Sequence, residues 1–337
     1  MSTVITDISS LVGFHLCKRL LAKGENVIGV YSGENASGSE SNRSNKSSYR
    51  INALRNSANA HHLQLHELDL LQTSPIEAVL AQHQPATVIH LSEFSNSIHN
   101  AQQVLCKTMN VLHACHQNQI QHCILNSSSD VYLPHLHNSM SVHELAEHPH
   151  SIVGATARSN ELFAHSISHT HQLPCTIVRL FEVYGEEADS SNLVQRFWDL
   201  IQRGEDVNIS TYLGVEFDFT YVDDVCNTLL RLMEHPAKPD PEWLPDDEHL
   251  NSSDAPWRIY NSGTGVGTDV LGLVELLEVV LEKKASIKAS SEVQTVKTEI
   301  PFKQLADNTE LLQETGYQPR TTLREGLANM KQALSSL

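Results

Sequence analysis

The sequence predicts an α/β protein built on a doubly wound parallel sheet and followed by a smaller C-terminal α/β portion. Three observations carry this prediction. Between Val4 and Leu180, short β-branched runs alternate with amphipathic segments, and a strand, helix, strand rhythm of this kind requires parallel neighbours. After Tyr184-Gly185 the rhythm changes to shorter, less regular segments. A chain of 337 residues with 40% apolar composition can bury one large core or two moderate ones.

In order, strands are expected at Val4–Thr6 and Asn26–Tyr31, flanking a helix over Val12–Leu21 whose Leu16, Leu20 and Leu21 share one face. The alternation continues through the strand Leu63–Leu68, the helix Pro75–His83, the strand Thr87–Leu91 and the helix Asn100–Gln117. The strand His122–Ser127, the helix Gly154–His171 and the strand Cys175–Leu180 complete it. The Ser/Asn/Gly-rich stretch from Ser32 to Arg50 reads as a mobile surface loop. Later elements are a helix over Ser191–Arg203, a strand near Asp206–Ile209, the segment Asp218–Val225 and a Pro/Asp-rich connector from Pro236 to Asp254. The run Arg258–Asn261, a helix over Asp269–Lys283, a strand near Ala285–Lys288 and a helix from Leu323 follow.

The formal charge of −17 disfavours nucleic acid and anionic membranes as partners. It equally opposes an anionic small molecule unless local cations receive it. Twenty histidines moderate the charge near pH 6. No stretch of about 18 apolar residues is present, and no basic segment precedes an apolar one at the N-terminus, so a cytoplasmic protein is expected. The cysteines Cys17, Cys106, Cys115, Cys123, Cys175 and Cys226 lack Cys-x-x-Cys spacing and read as buried free thiols. His135, His137, His143, His148 and His150 read as a solvated loop, because no spacing sets them on one face, and no metal site is expected. Ser127-Ser128-Ser129 has no Gly-x-Ser-x-Gly elbow, and Asp223-Asp224 is assigned to the cap of a helix.

Several separated segments together carry a resemblance. They are Asn126-Ser127-Ser128-Ser129-Asp130-Val131-Tyr132, Ser141-Val142-His143, Glu147-His148-Pro149 and Gly154-Ala155-Thr156. Arg179-Leu180-Phe181-Glu182-Val183-Tyr184-Gly185, Asp218-Phe219-Thr220-Tyr221-Val222-Asp223-Asp224, Ala255-Pro256-Trp257-Arg258-Ile259-Tyr260-Asn261 and Gly316-Tyr317-Gln318-Pro319 extend it over essentially the whole chain. In this order and spacing they resemble the bacterial UDP-glucuronate 4-epimerases, a branch of the NAD-dependent epimerase/dehydratase family of extended short-chain dehydrogenases/reductases. The resemblance implies a Rossmann-type NAD-binding domain over 1–180, with 215–235 returning to it, and a substrate-side domain over 181–337.

Departures from the family pattern fall at four places. The phosphate loop, Thr-Gly-x-x-Gly-x-x-Gly in the family, reads Thr6-Asp7-Ile8-Ser9-Ser10-Leu11-Val12-Gly13. Only Gly13 remains, while Asp7 and Ser10 place a charge and a Cβ where backbone N–H groups should meet pyrophosphate. Tyr31 replaces the Asp that takes the adenosine ribose hydroxyls. Asp69, Leu70, Leu91 and Ser92 stand at further cofactor-side positions, with Glu93 beside them. The catalytic motif Tyr-Gly-Ala-Thr-Lys has become Val153-Gly154-Ala155-Thr156-Ala157. The family's tyrosinate proton-transfer group and its pKa-lowering Lys are both missing, and Ser128 matches the accompanying Ser. On the substrate side, Glu182, Asp189 and Phe217 replace groups suited to anions. Arg258 remains as a substrate-binding candidate, and Arg179 is expected to pair with a buried carboxylate.

The resulting expectation is an epimerase homologue that no longer catalyses, binds NAD weakly or not at all, and acts as a partner or regulator. The resemblance implies pairing through helices 100–117 and 154–171, with itself or with an active paralogue, although Lys107 and His113 on the first helix bear against self-pairing. One alternative is an active NAD-dependent nucleotide-sugar epimerase/dehydratase in which Tyr132, Tyr184, Tyr221, His148 or His150 stands in for the missing base. Another is a protein that binds a different, less anionic small ligand in the altered cleft.

Overall fold

The strands β1 (Ser2–Thr6), β2 (Asn26–Tyr31), β4 (Thr87–His90), β5 (His122–Ser128) and β6 (Cys175–Leu180) are buried along almost their whole length. Runs apolar on both faces need helices on both sides. The computed structural model describes residues 2–33, 41–133, 139–244, 250–288 and 302–335. Together with β3 (Leu63–Glu67) and β10 (Trp257–Ser262), these strands form a seven-stranded parallel sheet in the order β10-β6-β5-β4-β1-β2-β3. The period-2 alternation of a strand divides the core. Ile5 points into the layer of α1 (Leu11–Ala22), α6 (Leu193–Arg203) and α7 (Val222–Met233), whereas Val4 points into the layer of α3 (Thr73–His83), α4 (Ile98–Gln117) and α5 (Ile152–His171).

The strand order reverses between β1 and β4, which opens a crevice at their C-terminal ends. Buried polar groups stitch this seam. Thr6 Oγ1 contacts His90 Nδ1 at 2.8 Å and accepts the Leu91 N–H at 3.1 Å, while His90 Nε2 lies 3.1 Å from Thr108 Oγ1. Burial, helped by the Lys107 charge, lowers the His90 pKa to about 3, so the imidazole is neutral.

The smaller portion holds a second sheet, in which β9 (Val215–Tyr221) pairs with β7 (Glu182–Tyr184), β11 (Gly267–Asp269) and β13 (Phe302–Gln304). A two-stranded pair, β8 (Asp206–Asn208) with β12 (Ser286–Lys288), lies apart from it. The helices α8 (Val270–Leu281), α9 (Thr309–Thr315) and α10 (Leu323–Ser335) complete the described elements. Two expectations are corrected. The stretch read as a loop to Arg50 contains the helix α2 (Ser41–Arg55), because Ile51 and Leu54 bury against α1. The strand around Arg258 is β10, a member of the large sheet although it lies beyond residue 180.

A polar network ties α5 to the sheet. Glu161 accepts Arg179 Nε and Nη2, both at 2.8 Å, and the Ser127 hydroxyl at 2.6 Å. Arg179 Nη1 donates to Tyr132 Oη at 2.7 Å, and that hydroxyl donates to Asn261 Oδ1 at 2.8 Å. Arg158 adds a third cationic contact to Glu161 at 3.0 Å. Burial opposes ionisation, but Arg179 outweighs it and Glu161 titrates below the usual carboxylate range. Replacing Arg179 with Met leaves this carboxylate under-compensated in the core. The expected loss in urea unfolding is about 3 kcal/mol, with partial recovery when Glu161→Gln is added. Gly13→Ala is expected to cost about 1–3 kcal/mol in the same assay, because a Cβ there would stand 2.6 Å from the Asp7 carbonyl oxygen and 2.9 Å from Ile8 Cα.

Candidate functional site

The crevice begins at the turn from β1 into α1. Asp7 occupies the left-handed region at φ 50°, where glycine is free and Asp is tolerated at a cost of about 1 kcal/mol. The backbone of a glycine turn thus persists with a carboxylate on it, and Ser9 Oγ donates to Asp7 Oδ1 at 3.3 Å. At the start of α1 the Ser10 hydroxyl is the N-cap and accepts the Gly13 N–H at 3.1 Å. One of the helix-terminal donors that makes such a turn an anion site is therefore satisfied within the chain.

Arg50, from α2, is a cation beside this turn that sequence reasoning missed. It is only 2% exposed. Nη1 donates to the Ser9 carbonyl at 2.6 Å, Nε donates to the Glu187 carbonyl at 3.1 Å, and Nη2 also donates to Glu187 O. Burial pushes its pKa down, while the carboxylates of Asp189, Glu93, Asp7 and Glu187 work against that fall. Lys46 adds an ion pair to Glu187 at 2.9 Å. Arg50 was hidden because its hydrogen-bond partners are main-chain carbonyls 41 and 137 residues away. The apolar pair Ile51 and Leu54, three residues apart, was the available signal for its helix.

On the adenosine side, Tyr31 lies at the end of β2 and its hydroxyl accepts Arg55 Nη2 at 2.9 Å. Asp69 Oδ1 accepts the Leu71 N–H at 3.0 Å, and Leu70 and Leu91 are buried. Ser92 is held by Asn126, whose Oδ1 accepts its N–H at 2.6 Å and whose Nδ2 donates to its carbonyl at 3.0 Å. The Glu93 carbonyl accepts Asn100 Nδ2 at 3.3 Å.

At the reaction centre, Ser128 ends β5 and its Oγ accepts the Asp130 N–H at 3.2 Å. Val153 stands in the first turn of α5, with its N–H 3.5 Å from Asn96 Oδ1. Ala157 is 0% exposed and packs in an apolar cluster with Val131, Tyr132, Met140, Phe181 and Ala306. The tyrosines considered as substitutes are engaged elsewhere. Tyr132 sits in the Arg179 network with its hydroxyl pushed up to about 12 by burial. Tyr221 donates to Glu186 at 2.8 Å, and Tyr184 Oη lies 3.4 Å from the Leu323 carbonyl. His148 and His150 are solvent-exposed.

The substrate-side residues separate. Ser128, Asp130, Glu182, Phe217, Asp218 and Gln304 line one pocket of about 100 Å³ at the C-terminal ends of β5 and β6. Burial, reinforced by the Asp130 charge and opposed by Arg196, raises the Glu182 pKa to about 7. Arg258 is not among these residues. It lies near the start of β10 opposite Thr176, with Nη1 on the Trp257 carbonyl at 2.9 Å. Four residues of strand, about 13 Å, separate it from the C-terminal edge where the pocket opens, which corrects its assignment to the substrate. Asp189 accepts the Ser191 N–H at 2.9 Å and its hydroxyl. Arg179 pairs with buried Glu161 as expected. Asp223 and Asp224 lie inside the first turn of α7, where Asp223 binds Arg19 and Asp224 receives the backbone N–H groups of Arg320 and Thr321. His135 and His137 lie outside the described residues, and among the described residues no group of three or more His, Cys, Asp or Glu side chains could hold a metal ion. Likewise no described helix is long and apolar enough to cross a membrane.

Comparison with known proteins places this geometry. Protein CapI of Staphylococcus aureus is 30% identical over 334 residues, covering 97% of this chain and 96% of its own. A probable UDP-glucuronate 4-epimerase of Rhizobium meliloti is 26% identical, covering 97% of this chain and 95% of its own. Among solved structures, UDP-glucuronic acid 4-epimerase from Bacillus cereus, in complex with UDP-glucuronic acid and NAD, superposes with a TM-score of 0.80 at 21% identity, covering 100% of this chain and 99% of its own. UDP-glucose 4-epimerase from Thermotoga maritima superposes with a TM-score of 0.76 at 22% identity, covering 100% and 99%. These likenesses confirm the Rossmann-type fold. The signature of the NAD dependent epimerase/dehydratase family spans residues 3–244, and the chain belongs to that family.

Proposed function

We propose that this chain is a non-catalytic member of its family, a pseudoenzyme that works through partner binding. The observation that carries the reading is α5 itself. Val153 and Ala157 have no exchangeable proton, and Ala157 is buried in an apolar cluster. Ser128 keeps neither the Tyr nor the Lys partner of the family pattern, and the group near neutrality that shares its pocket is the Glu182 carboxyl, raised to about 7 by burial.

The cofactor turn supports the same reading. A pyrophosphate would meet the Asp7 carboxylate, and the Ser10 hydroxyl already occupies the Gly13 N–H. Like charges about 4 Å apart repel by roughly 4 kcal/mol at an effective dielectric near 20. These residues do not fit NAD in the family's pose. Titration calorimetry is expected to show NAD binding no tighter than about millimolar, with no nucleotide released on denaturation. Micromolar binding would overturn the reading and require an assay of UDP-glucuronate epimerisation. Asp7→Gly combined with Ser10→Gly is expected to strengthen NAD binding at least tenfold, without epimerase activity.

Pairing would use α4 and α5. Met109, Leu162 and Phe163 are 43%, 55% and 40% exposed and lie about midway along the two packed helices. Apolar side chains this exposed at one level of a helix pair suit an interface. Sedimentation is expected to show a dimer of this chain, or a mixed dimer with an active UDP-glucuronate 4-epimerase, either one abolished by Leu162→Asp. A monomer that also ignores the active enzyme would exclude this surface.

A further inference from the structure

A second pocket, of about 200 Å³, lies between α5, the start of the edge strand β10 and the connector that precedes it. It shares no lining residue with the pocket at the ends of β5 and β6. Val142, Leu145, Leu162, Leu250 and the rings of Trp243 and Trp257 form its apolar wall. Two donors on the wall are not used up within the chain. Trp257 is 5% exposed, and its indole N–H is buried without an acceptor, although a buried tryptophan normally finds one. The polar groups beside the ring are engaged with each other: His165 stands edge-on to it at 5.0 Å and pairs through Nε2 with Ser253 Oγ at 3.1 Å. Arg158 is the second donor. Glu161 already accepts Arg179 Nε and Nη2 and the Ser127 hydroxyl, and Arg158 adds only Nη1 to it, at 3.0 Å. No other described residue accepts a bond from the Arg158 guanidinium, so two cations share one carboxylate. The remaining acid on the wall, Glu144, accepts the Ser141 N–H at 2.8 Å.

We propose that this pocket binds a small aromatic carboxylate, its ring held by the apolar wall and its carboxylate received by Arg158 and the Trp257 indole N–H. An apolar cavity with a few convergent polar groups is how small-molecule sites are built, and a guanidinium matches a carboxylate in geometry as well as charge. The volume lies below the roughly 300–1,000 Å³ of sites for larger ligands, which suits a single ring with one polar substituent. A carboxylate enters against the formal charge of −17, so the donors it meets locally must supply the selectivity. Leu162 also belongs to the face proposed for pairing, but Arg158 and Trp257 do not, so failure of this proposal leaves that reading standing.

The test uses benzoate as the probe and benzyl alcohol as its uncharged counterpart, on the full chain at neutral pH. Titration calorimetry is expected to give benzoate a Kd of about 1 mM, the scale that a ligand of this size reaches, and benzyl alcohol one at least about tenfold weaker. Arg158→Gln should weaken benzoate to the level of the alcohol while leaving the alcohol's own binding within about twofold. Trp257→Phe keeps an aromatic ring and deletes the donor, and should weaken benzoate about fivefold. In nitrogen-edited NMR spectra the Trp257 indole N–H resonance, assigned by that variant, should move as benzoate saturates, while that of Trp198, in the opposite core layer, stays. Should Arg158→Gln fail to fold, Trp257→Phe and the resonance shift carry the test. The proposal falls if benzoate at about 100 times the expected Kd leaves the Trp257 resonance unmoved, if benzyl alcohol binds as tightly, or if either folded variant binds benzoate as the parent does.

Discussion

The structure hangs on the buried pairing of Glu161 with Arg179. A helix that covers a parallel sheet is normally held by apolar contact alone, which fixes distance better than rotation. Here a bidentate charge pair sets the rotation of α5, and Ser127, Tyr132 and Asn261 carry the constraint into β5, the turn after it and β10. The pair therefore determines which side chains of α5 face the crevice. Val153 and Ala157 are presented where the family places reactive groups because the helix is still held in that orientation.

What changed around that scaffold is mostly the sign of charge. A cleft built for a dinucleotide and a sugar nucleotide gathers donors and cations. This one gathers Asp7, Glu93, Asp130, Glu182 and Asp189, and the buried cation it has, Arg50, is spent on main-chain carbonyls. The backbone hardly registers the change, since Asp7 still adopts a glycine-like conformation. The sign of charge in the cleft is thus set by side chains, on a backbone that keeps the family's course.

The fold was legible because its strands are buried on both faces and its helices recur between them. The helix α2 escaped notice because Ile51 and Leu54 give it too narrow an apolar stripe amid serines and asparagines. The motif positions were equally legible: Asp7 and Ser10 form the turn from β1 into α1, Ser128 and Glu182 line one pocket, and Val153 and Ala157 stand near the start of α5. Arg258 did not follow, since linear agreement with a motif does not say which end of a strand a residue occupies. Arg50 and the Asp130–Glu182 relationship were invisible because each depends on elements that meet only after folding.

The neutral His90 at the β1/β4 seam makes the molecule a proton acceptor when it opens. An imidazole with a pKa near 3 in the fold and about 6.5 in the unfolded chain binds its proton only after the seam parts. Between those values acidification favours the open chain, by at most about 1.4 kcal/mol per pH unit for this one group. His122, buried against Thr176 at 2.8 Å with its pKa lowered to about 4, adds to the same slope. The seam thus behaves as an acid-labile fastener, closed at neutral pH and progressively weaker in a mildly acidic compartment.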